Sequence, residues 1–230
     1  MPGTPTTWAL ALFGGIAPAL LWLWFWLKED APEHRPKKLL FIIFLVGMLS
    51  VFFVLPIEQY IQSRVDSESL RLILWAATEE IFKFLVVIML LYKTTHVNEP
   101  IKWPLFFITG ALGFAGLENA LFLIKPLSLD NTAVSLLTGQ LRFLGATLLH
   151  TVATGAIGIA LGLSFNPTGK INKTYLFAGI FTAITLHSLF NFFIMKNSGG
   201  DFLKVFALLW VVTIIIMLLL EKLRRMSGEK

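Results

Sequence analysis

The stretch Thr78-Glu79-Glu80-Ile81-Phe82-Lys83 places three charged side chains inside a segment that is otherwise apolar. This segment, roughly residues 72–92, has the length of about 20 residues that a transmembrane helix needs. Each carboxylate inside such a helix raises the free energy of membrane insertion by about 2.5 kcal/mol or more. The chain therefore has to supply partners for Glu79 and Glu80 from its other segments.

The composition of the whole chain is that of an integral membrane protein, which has the lipid bilayer as its surroundings. The 230 residues are 56% hydrophobic and have a mean hydropathy of +0.76, and the apolar residues come in long blocks. No connection between these blocks is long enough for a soluble domain. Residues 1–230 are therefore predicted to form a single integral membrane domain.

The residue types present exclude some classes of function. There are no cysteines, which excludes thiolate catalysis and metal sites built from cysteine. The net charge is +5, but the Lys and Arg residues lie in connections and at the C-terminus rather than in a basic stripe. Such residues orient membrane helices, and their distribution argues against nucleic acid as a partner.

Seven apolar segments predict an all-α, polytopic membrane helix bundle with about seven transmembrane helices. The segments are residues 8–27, 39–55, 72–92, 104–124, 140–163, 174–195 and 202–220. The first is interpreted as an anchor rather than a signal peptide, because no basic region precedes its long apolar core. The second is predicted to end at Pro56, with residues 57–71 forming a solvated loop or a helix at the membrane interface.

The Lys and Arg residues concentrate in alternate connections. The connections 28–38, 93–103 and 164–173 and the C-terminal tail carry most of them, whereas the connections on the opposite side carry few. The positive-inside rule then places the N-terminus outside and the C-terminus in the cytoplasm of a multi-pass protein of the cell membrane.

This topology predicts that ionisable residues of four different spans lie at one depth. With a helical rise of about 1.5 Å per residue, each of them lies roughly 9–15 Å below the outer end of its span. The residues are Glu79, Glu80, Glu118, His150 and His187. They are expected to meet in one layer of the outer half of the bundle.

Helical spacing predicts how these residues find neighbours. Glu79 and Lys83 are four residues apart and share a helix face, so Lys83 is interpreted as a charge partner. On the fifth span, a stripe with i,i+4 spacing begins at His150 and ends in small residues that let neighbouring helices approach. For Arg142, two interpretations stay open, namely a side chain that extends to the interface and a partner of Glu118.

Asparagine and single histidine residues in membrane helices also have structural interpretations. Asn119 and Asn191 are more typical of interhelical hydrogen bonds than of catalysis, and a single buried histidine often serves the same purpose. The combination of a Glu pair with a third Glu and two histidines is different, because ionisable residues inside spans are functional by default.

Four motifs in a fixed order resemble the PrsW family of intramembrane proteases, which is related to the CAAX prenyl endopeptidases and to bacteriocin-processing proteases. The motifs, which cover about residues 72–195, are Glu79-Glu80-x-x-Lys83, Gly113-Phe114-Ala115-Gly116-Leu117-Glu118-Asn119, His150 and His187-x-x-x-Asn191. Two departures from the CAAX branch favour the PrsW branch. In this chain two residues separate Glu80 from the basic residue Lys83, whereas in the CAAX branch three residues separate the second Glu from an Arg. In addition, Glu118 stands where the CAAX branch has His.

The resemblance implies an endopeptidase that hydrolyses peptide bonds of a membrane-anchored, single-span protein, such as an anti-sigma factor. Cleavage is expected near the extracytoplasmic side, which agrees with the depth expected from charge counting. The resemblance also implies the site residues, namely Glu79 or Glu80 together with Glu118, His150 and His187.

A hydrolytic mechanism assigns roles to these residues. Glu79 is the candidate general base that deprotonates water, and Glu80 is its tuning or relay partner. His150 and His187 are candidates for holding the water, donating to the oxyanion or binding a metal. Asn191 is a candidate donor to the oxyanion.

A divalent metal such as zinc is a possible cofactor by the chemistry of the residues. His150, His187 and Glu118 are the candidate ligands, since two histidines and a carboxylate form an open zinc set. The His-Glu-x-x-His spacing is missing from the sequence, so such a site has to be assembled from separate helices. Family labels include both metalloprotease and glutamate protease, and both remain open at this point.

Two further classes of function compete with a protease. Buried Glu and His also serve as proton relays, so a proton-coupled membrane transporter or channel is the alternative. The sequence lacks the paired Gly/Pro-broken segments in two related halves that are typical of transporters. A scaffold without catalysis is the third class, and the intact set of Glu and His argues against it.

Overall fold

The structure, a computed structural model, describes residues 4–28, 36–92, 94–129, 142–166, 171–196 and 202–228. Within these ranges there are seven α-helices and no strand, which confirms the predicted all-α polytopic bundle. The helices are α1 (Pro5–Leu27), α2 (Lys37–Arg64), α3 (Glu68–Leu91), α4 (Lys102–Ser128), α5 (Thr147–Leu163), α6 (Lys173–Lys196) and α7 (Phe202–Met226). A π-helical turn, Arg142–Ala146, leads directly into α5. Gln140 and Leu141, the predicted start of this span, lie outside the described residues.

Six of the described helices are long and apolar enough to cross a membrane. The remaining one, α3, has 24 residues, but the charges of Glu79, Glu80 and Lys83 lie in its middle. Its length suits a membrane crossing, and it differs from the other six in carrying three charged side chains in the middle of its apolar stretch. How these charges are accommodated is therefore decided by the helices that pack against α3.

Helices α4 and α5 form the centre of the bundle. In their most apolar 18-residue windows, 78% of residues are buried, against 17–39% in the other four candidate spans. Helices α1 and α2 pack on α4, while α6 and α7 pack on α5, and α3 lies between α2 and α6. Glu118 of α4 and His150 of α5 thus lie at the centre of the bundle, and the buried ionisable residues of α3 and α6 face them.

Small residues allow the close helix crossings that this arrangement requires. A Cβ atom on Gly113 of α4 would clash with the carbonyl oxygen of Phe44 on α2. A Cβ atom on Gly158 of α5 would lie 2.5 Å from Cα of Pro104. Gly158 belongs to the small-residue stripe that the sequence predicted, and it has the predicted role of admitting a neighbouring helix.

The predicted end of the second span at Pro56 is wrong. Helix α2 continues through Pro56 to Arg64, and α3 begins at Glu68 after only three residues, with the Ser67 side chain accepting from the Leu70 N–H. A proline removes only its own N–H from the helical ladder, and membrane helices tolerate this where neighbouring groups satisfy the freed carbonyl. The extra turns of α2 bring Glu58 into the bundle.

Candidate active site

The inward face of α3 carries the charged residues at its middle. Glu79 is 5% exposed, and Glu80 and Lys83 are 0% exposed. The ammonium nitrogen of Lys83 lies 3.2 Å from Glu79 Oε2 and 2.8 Å from Glu80 Oε1. Lys83 is thus the expected charge partner, and it serves both carboxylates because residues three and four apart share a helix face.

The two carboxylates of the pair have different surroundings. Glu80 Oε2 accepts from the Thr154 hydroxyl at 2.6 Å, and Glu80 Oε1 lies 2.8 Å from His187 Nδ1 as well as from Lys83. Glu80 is therefore enclosed by three donors. Glu79, in contrast, lines a cavity. A water molecule or substrate in that cavity would meet Glu79 first.

The tautomers of the two histidines follow from their partners. His150 Nδ1 lies 2.7 Å from the Lys83 ammonium, which can only donate, so Nδ1 accepts. The ring proton is then on Nε2, which donates to Glu118 Oε2 at 2.9 Å. His187 donates from Nδ1 to Glu80, which leaves its Nε2 facing Glu79 Oε1 at 3.8 Å. Both histidines thus direct one ring nitrogen toward Glu79, His150 Nδ1 at 3.7 Å from Oε2 and His187 Nε2 at 3.8 Å from Oε1.

Glu118 is held by Arg142, which begins the π-helical turn. Arg142 Nη2 donates to Glu118 Oε2 at 2.6 Å and Arg142 Nε donates to Asn119 Oδ1 at 2.6 Å. Asn119 in turn donates to the Thr147 hydroxyl at 2.8 Å. Of the two interpretations that the sequence left open for Arg142, the structure supports the partner of Glu118.

The cavity has a volume of about 550 Å³ and mostly apolar walls. Its polar lining includes Glu79, Glu118, both histidines and Asn191. The residues that were predicted from depth therefore do meet, although they come from four helices. Their catalytic roles stay predictions.

Sequence reasoning missed Glu58, which also lines the cavity. It was missed because Pro56 was interpreted as the end of the helix. The signal that was available is the spacing of Val51, Val54, Leu55 and Glu58, which share one helix face, and all four line the cavity.

The donor atoms suit a divalent metal in kind and spacing. One ligand atom from each of Glu79, His150 and His187 lies within 4.8 Å of the others. Each histidine has its second nitrogen held by a carboxylate, as is usual for metal-binding histidines. The cluster contains Glu79, whereas the sequence suggested Glu118 as the carboxylate ligand. Glu118 instead contacts the other ring nitrogen of His150, Nε2.

Lys83 affects how this cluster could take a metal. Its ammonium contacts Glu79 Oε2 and His150 Nδ1, the atoms that face into the cluster. A metal bound to those atoms and Lys83 in this position would repel each other at contact distance. A metal at this cluster therefore requires the Lys83 side chain to move.

Comparison with known proteins agrees with this geometry. The profile of the PrsW family intramembrane metalloprotease matches residues 35–220. Relatives named Protease PrsW include that of Geobacillus kaustophilus, 26% identical over 85% of this chain and 85% of the relative, and that of Halalkalibacterium halodurans, 28% identical over 78% and 81%. The Bacillus subtilis protein of the same name is 22% identical over 80% of this chain and 83% of its own length.

No solved structure matches the chain. The sequence relatives favour a protease over the transporter or channel alternative, and the family profile covers α2 to α6 and most of α7, which carry the candidate site. The chain therefore belongs to the PrsW family and is an intramembrane protease.

Proposed function

We propose that the protein hydrolyses a peptide bond of a single-span membrane protein, such as an anti-sigma factor, near the extracytoplasmic face of the membrane. The observation that carries this proposal is the cavity of about 550 Å³, where Glu79 lies between apolar walls and the two histidines. Membrane-segment side chains are apolar and suit such walls, while hydrolysis needs the carboxylate and the histidines.

Glu79 is proposed as the base. It takes a proton from a water molecule in the cavity, the water oxygen bonds to the scissile carbonyl carbon, and the carbon–nitrogen bond breaks as the proton passes to the leaving nitrogen. His150 and His187 hold the water, and Asn191 donates to the oxyanion. Glu80, enclosed by Lys83, His187 and Thr154, keeps these groups in place.

The position of the cavity along the bundle supports the proposed side. It lies where α2, α4 and α6 end and where α3, α5 and α7 begin. If every helix crosses the membrane, that end is also the end at which α1 starts. The positive-inside rule places this end outside and the C-terminus in the cytoplasm.

Cleavage by the purified protein in lipid vesicles tests the proposal. A panel of single-span proteins carries a different tag on each side of the membrane, and mass spectrometry locates the cut. Wild type is expected to cut one or more of them near the extracytoplasmic end of the span. The matched control Glu68→Gln, on the exposed first turn of α3, is expected to cut equally well. Cuts confined to the cytoplasmic side would contradict the proposed orientation.

As the alternative to Glu79 acting as a free base, Glu79, His150 and His187 are proposed as the ligands of a divalent metal such as zinc, with the Lys83 side chain displaced from the cluster. Bound there, the metal would polarise the scissile carbonyl and the water. Elemental analysis of active protein is expected to give about one zinc per chain, and chelation is expected to stop cleavage until zinc is returned. Cleavage that survives complete removal of metal would exclude this cofactor and leave the carboxylate mechanism standing alone.

A further inference from the structure

The π-helical turn Arg142–Ala146 is tied to α4 by side chains. The Thr147 hydroxyl donates to the Arg142 carbonyl at 3.0 Å and accepts from Asn119 at 2.8 Å. Short π-helical segments are frequent at functional sites, where they change the direction of side chains. Here the turn places Arg142 beside the cavity, with its side chain only 16% exposed.

The guanidinium of Arg142 is fixed by three residues of α4. Two of its N–H groups donate to adjacent residues, Nη2 to Glu118 and Nε to Asn119, both at 2.6 Å. The guanidinium carbon also lies 3.9 Å from the centroid of the Phe122 ring. Arginine offers several donors in one rigid, charged plane, whereas the ammonium of lysine is a compact point charge.

The same carboxylate oxygen links Arg142 to a histidine. Glu118 Oε2 accepts from Arg142 and also from His150 Nε2, at 2.9 Å. Glu118 thus holds the Nε2 side of the His150 ring, while Lys83 contacts Nδ1 at 2.7 Å. His187 hydrogen-bonds with a different carboxylate, Glu80, which Lys83 and Thr154 also contact. Its ring lies edge-on to that of His150, with the two centroids 5.0 Å apart.

We propose that Arg142 is a positioning residue of the active site. It fixes Glu118, which holds His150 Nε2, so that His150 Nδ1 faces Glu79. The kinetic part of this inference rests on the proposed proteolysis. It adds to that proposal a residue outside the four motifs, contributed by the turn that precedes α5.

The kinetic test compares R142A, R142K and R142A with added methylguanidinium. Loss of a group that orients a functional histidine typically lowers activity about 10- to 100-fold. We expect R142A to show this loss in kcat, with little change in KM. R142K is expected to recover little, since a compact ammonium cannot reproduce the two separate coplanar donors, Nη2 and Nε, that reach Glu118 and Asn119. Methylguanidinium is expected to restore cleavage, because the vacated space adjoins the cavity. The control R225A removes an exposed arginine that pairs with Glu221.

A second measurement does not depend on cleavage. Diethyl pyrocarbonate modifies histidine, and mass spectrometry gives its rate at His150 and His187 separately. In R142A the rate at His150 is expected to rise several-fold and by clearly more than the rate at His187, whose own carboxylate partner is retained. Equal changes at both histidines, or no change at either, would overturn the inference, as would wild-type kcat in R142A or full activity in R142K. If wild type cleaves nothing, the proposed function fails, and the labelling still decides the role of Arg142.

Discussion

Replacing Glu79 by Gln is expected to abolish cleavage and to leave the protein folded. Glutamine keeps the size of the side chain but cannot take a proton from water, and a general base typically contributes about 10²- to 10⁴-fold to the rate. Glu79 lines the cavity, so its amide replacement remains accommodated there. Single-turnover cleavage of a vesicle-bound substrate measures the loss, and thermal unfolding in the same lipid measures the stability.

Glu80→Gln provides the contrast on the same helix turn. Glu80 is 0% exposed and accepts from Lys83, Thr154 and His187. An amide there loses charge-assisted hydrogen bonds, so this variant is expected to lower the unfolding temperature as well as the rate. The assignment of the base to Glu79 would be wrong if E79Q cleaved at the wild-type rate, or if E80Q lost cleavage with unchanged stability while E79Q kept it.

Replacing Lys83 by Met is expected to have the largest effect on stability. The Lys83 ammonium is fully buried, pairs with Glu79 and Glu80, and lies 4.3 Å from the centroid of the Phe114 ring. Removing one partner of a buried ion pair costs about 3–5 kcal/mol, because the other charge is left uncompensated. Reversible unfolding in detergent, with metal removed from the buffer, measures the loss.

Added zinc gives the unfolding experiment on Lys83→Met a second readout, which reports on the metal-binding cluster. Without the ammonium, the donor atoms of Glu79, His150 and His187 become available to a divalent cation. Added zinc is therefore expected to raise the stability of K83M more than that of wild type, since a ligand stabilises the state that binds it. Lys222→Met, at an exposed position of α7, is the control. Equal stabilities of K83M and wild type would show that Lys83 does not compensate the carboxylates.

Much of the fold could be predicted from the sequence because membrane helices are recognisable by their length and hydropathy. The predicted segments 104–124 and 174–195 lie within α4 and α6, and both helices extend beyond the predicted segments at both ends. Depth along the helices was also predictable, because the rise per residue is constant. This is why Glu79, Glu118 and His187 could be expected in one layer before any contact was known.

What could not be predicted depends on details of backbone and side-chain geometry. Proline usually marks a helix end, and this rule outweighed the helical spacing of Val51, Val54 and Glu58 across Pro56, so Glu58 stayed hidden. The hydrogen-bond partners of Arg142 follow from a π-helical turn, which periodicity does not reveal. Glu118 and Glu79 lie at similar depth in the bundle. Only the packing of α4 against α5 shows that Glu118 contacts Nε2 of His150.

The distribution of the site over the chain also bears on how the protein is made. Glu58 belongs to α2 and His187 to α6, so a ribosome has to produce most of the chain before all the cavity-lining groups exist. Helix α3, with its three central charges, is poorly suited to enter a bilayer alone and depends on its neighbours during insertion. A nascent chain that lacks α6 has Glu79 without His187. On the proposed mechanism, which uses both Glu79 and His187, proteolytic competence is acquired only after α6 has been synthesised.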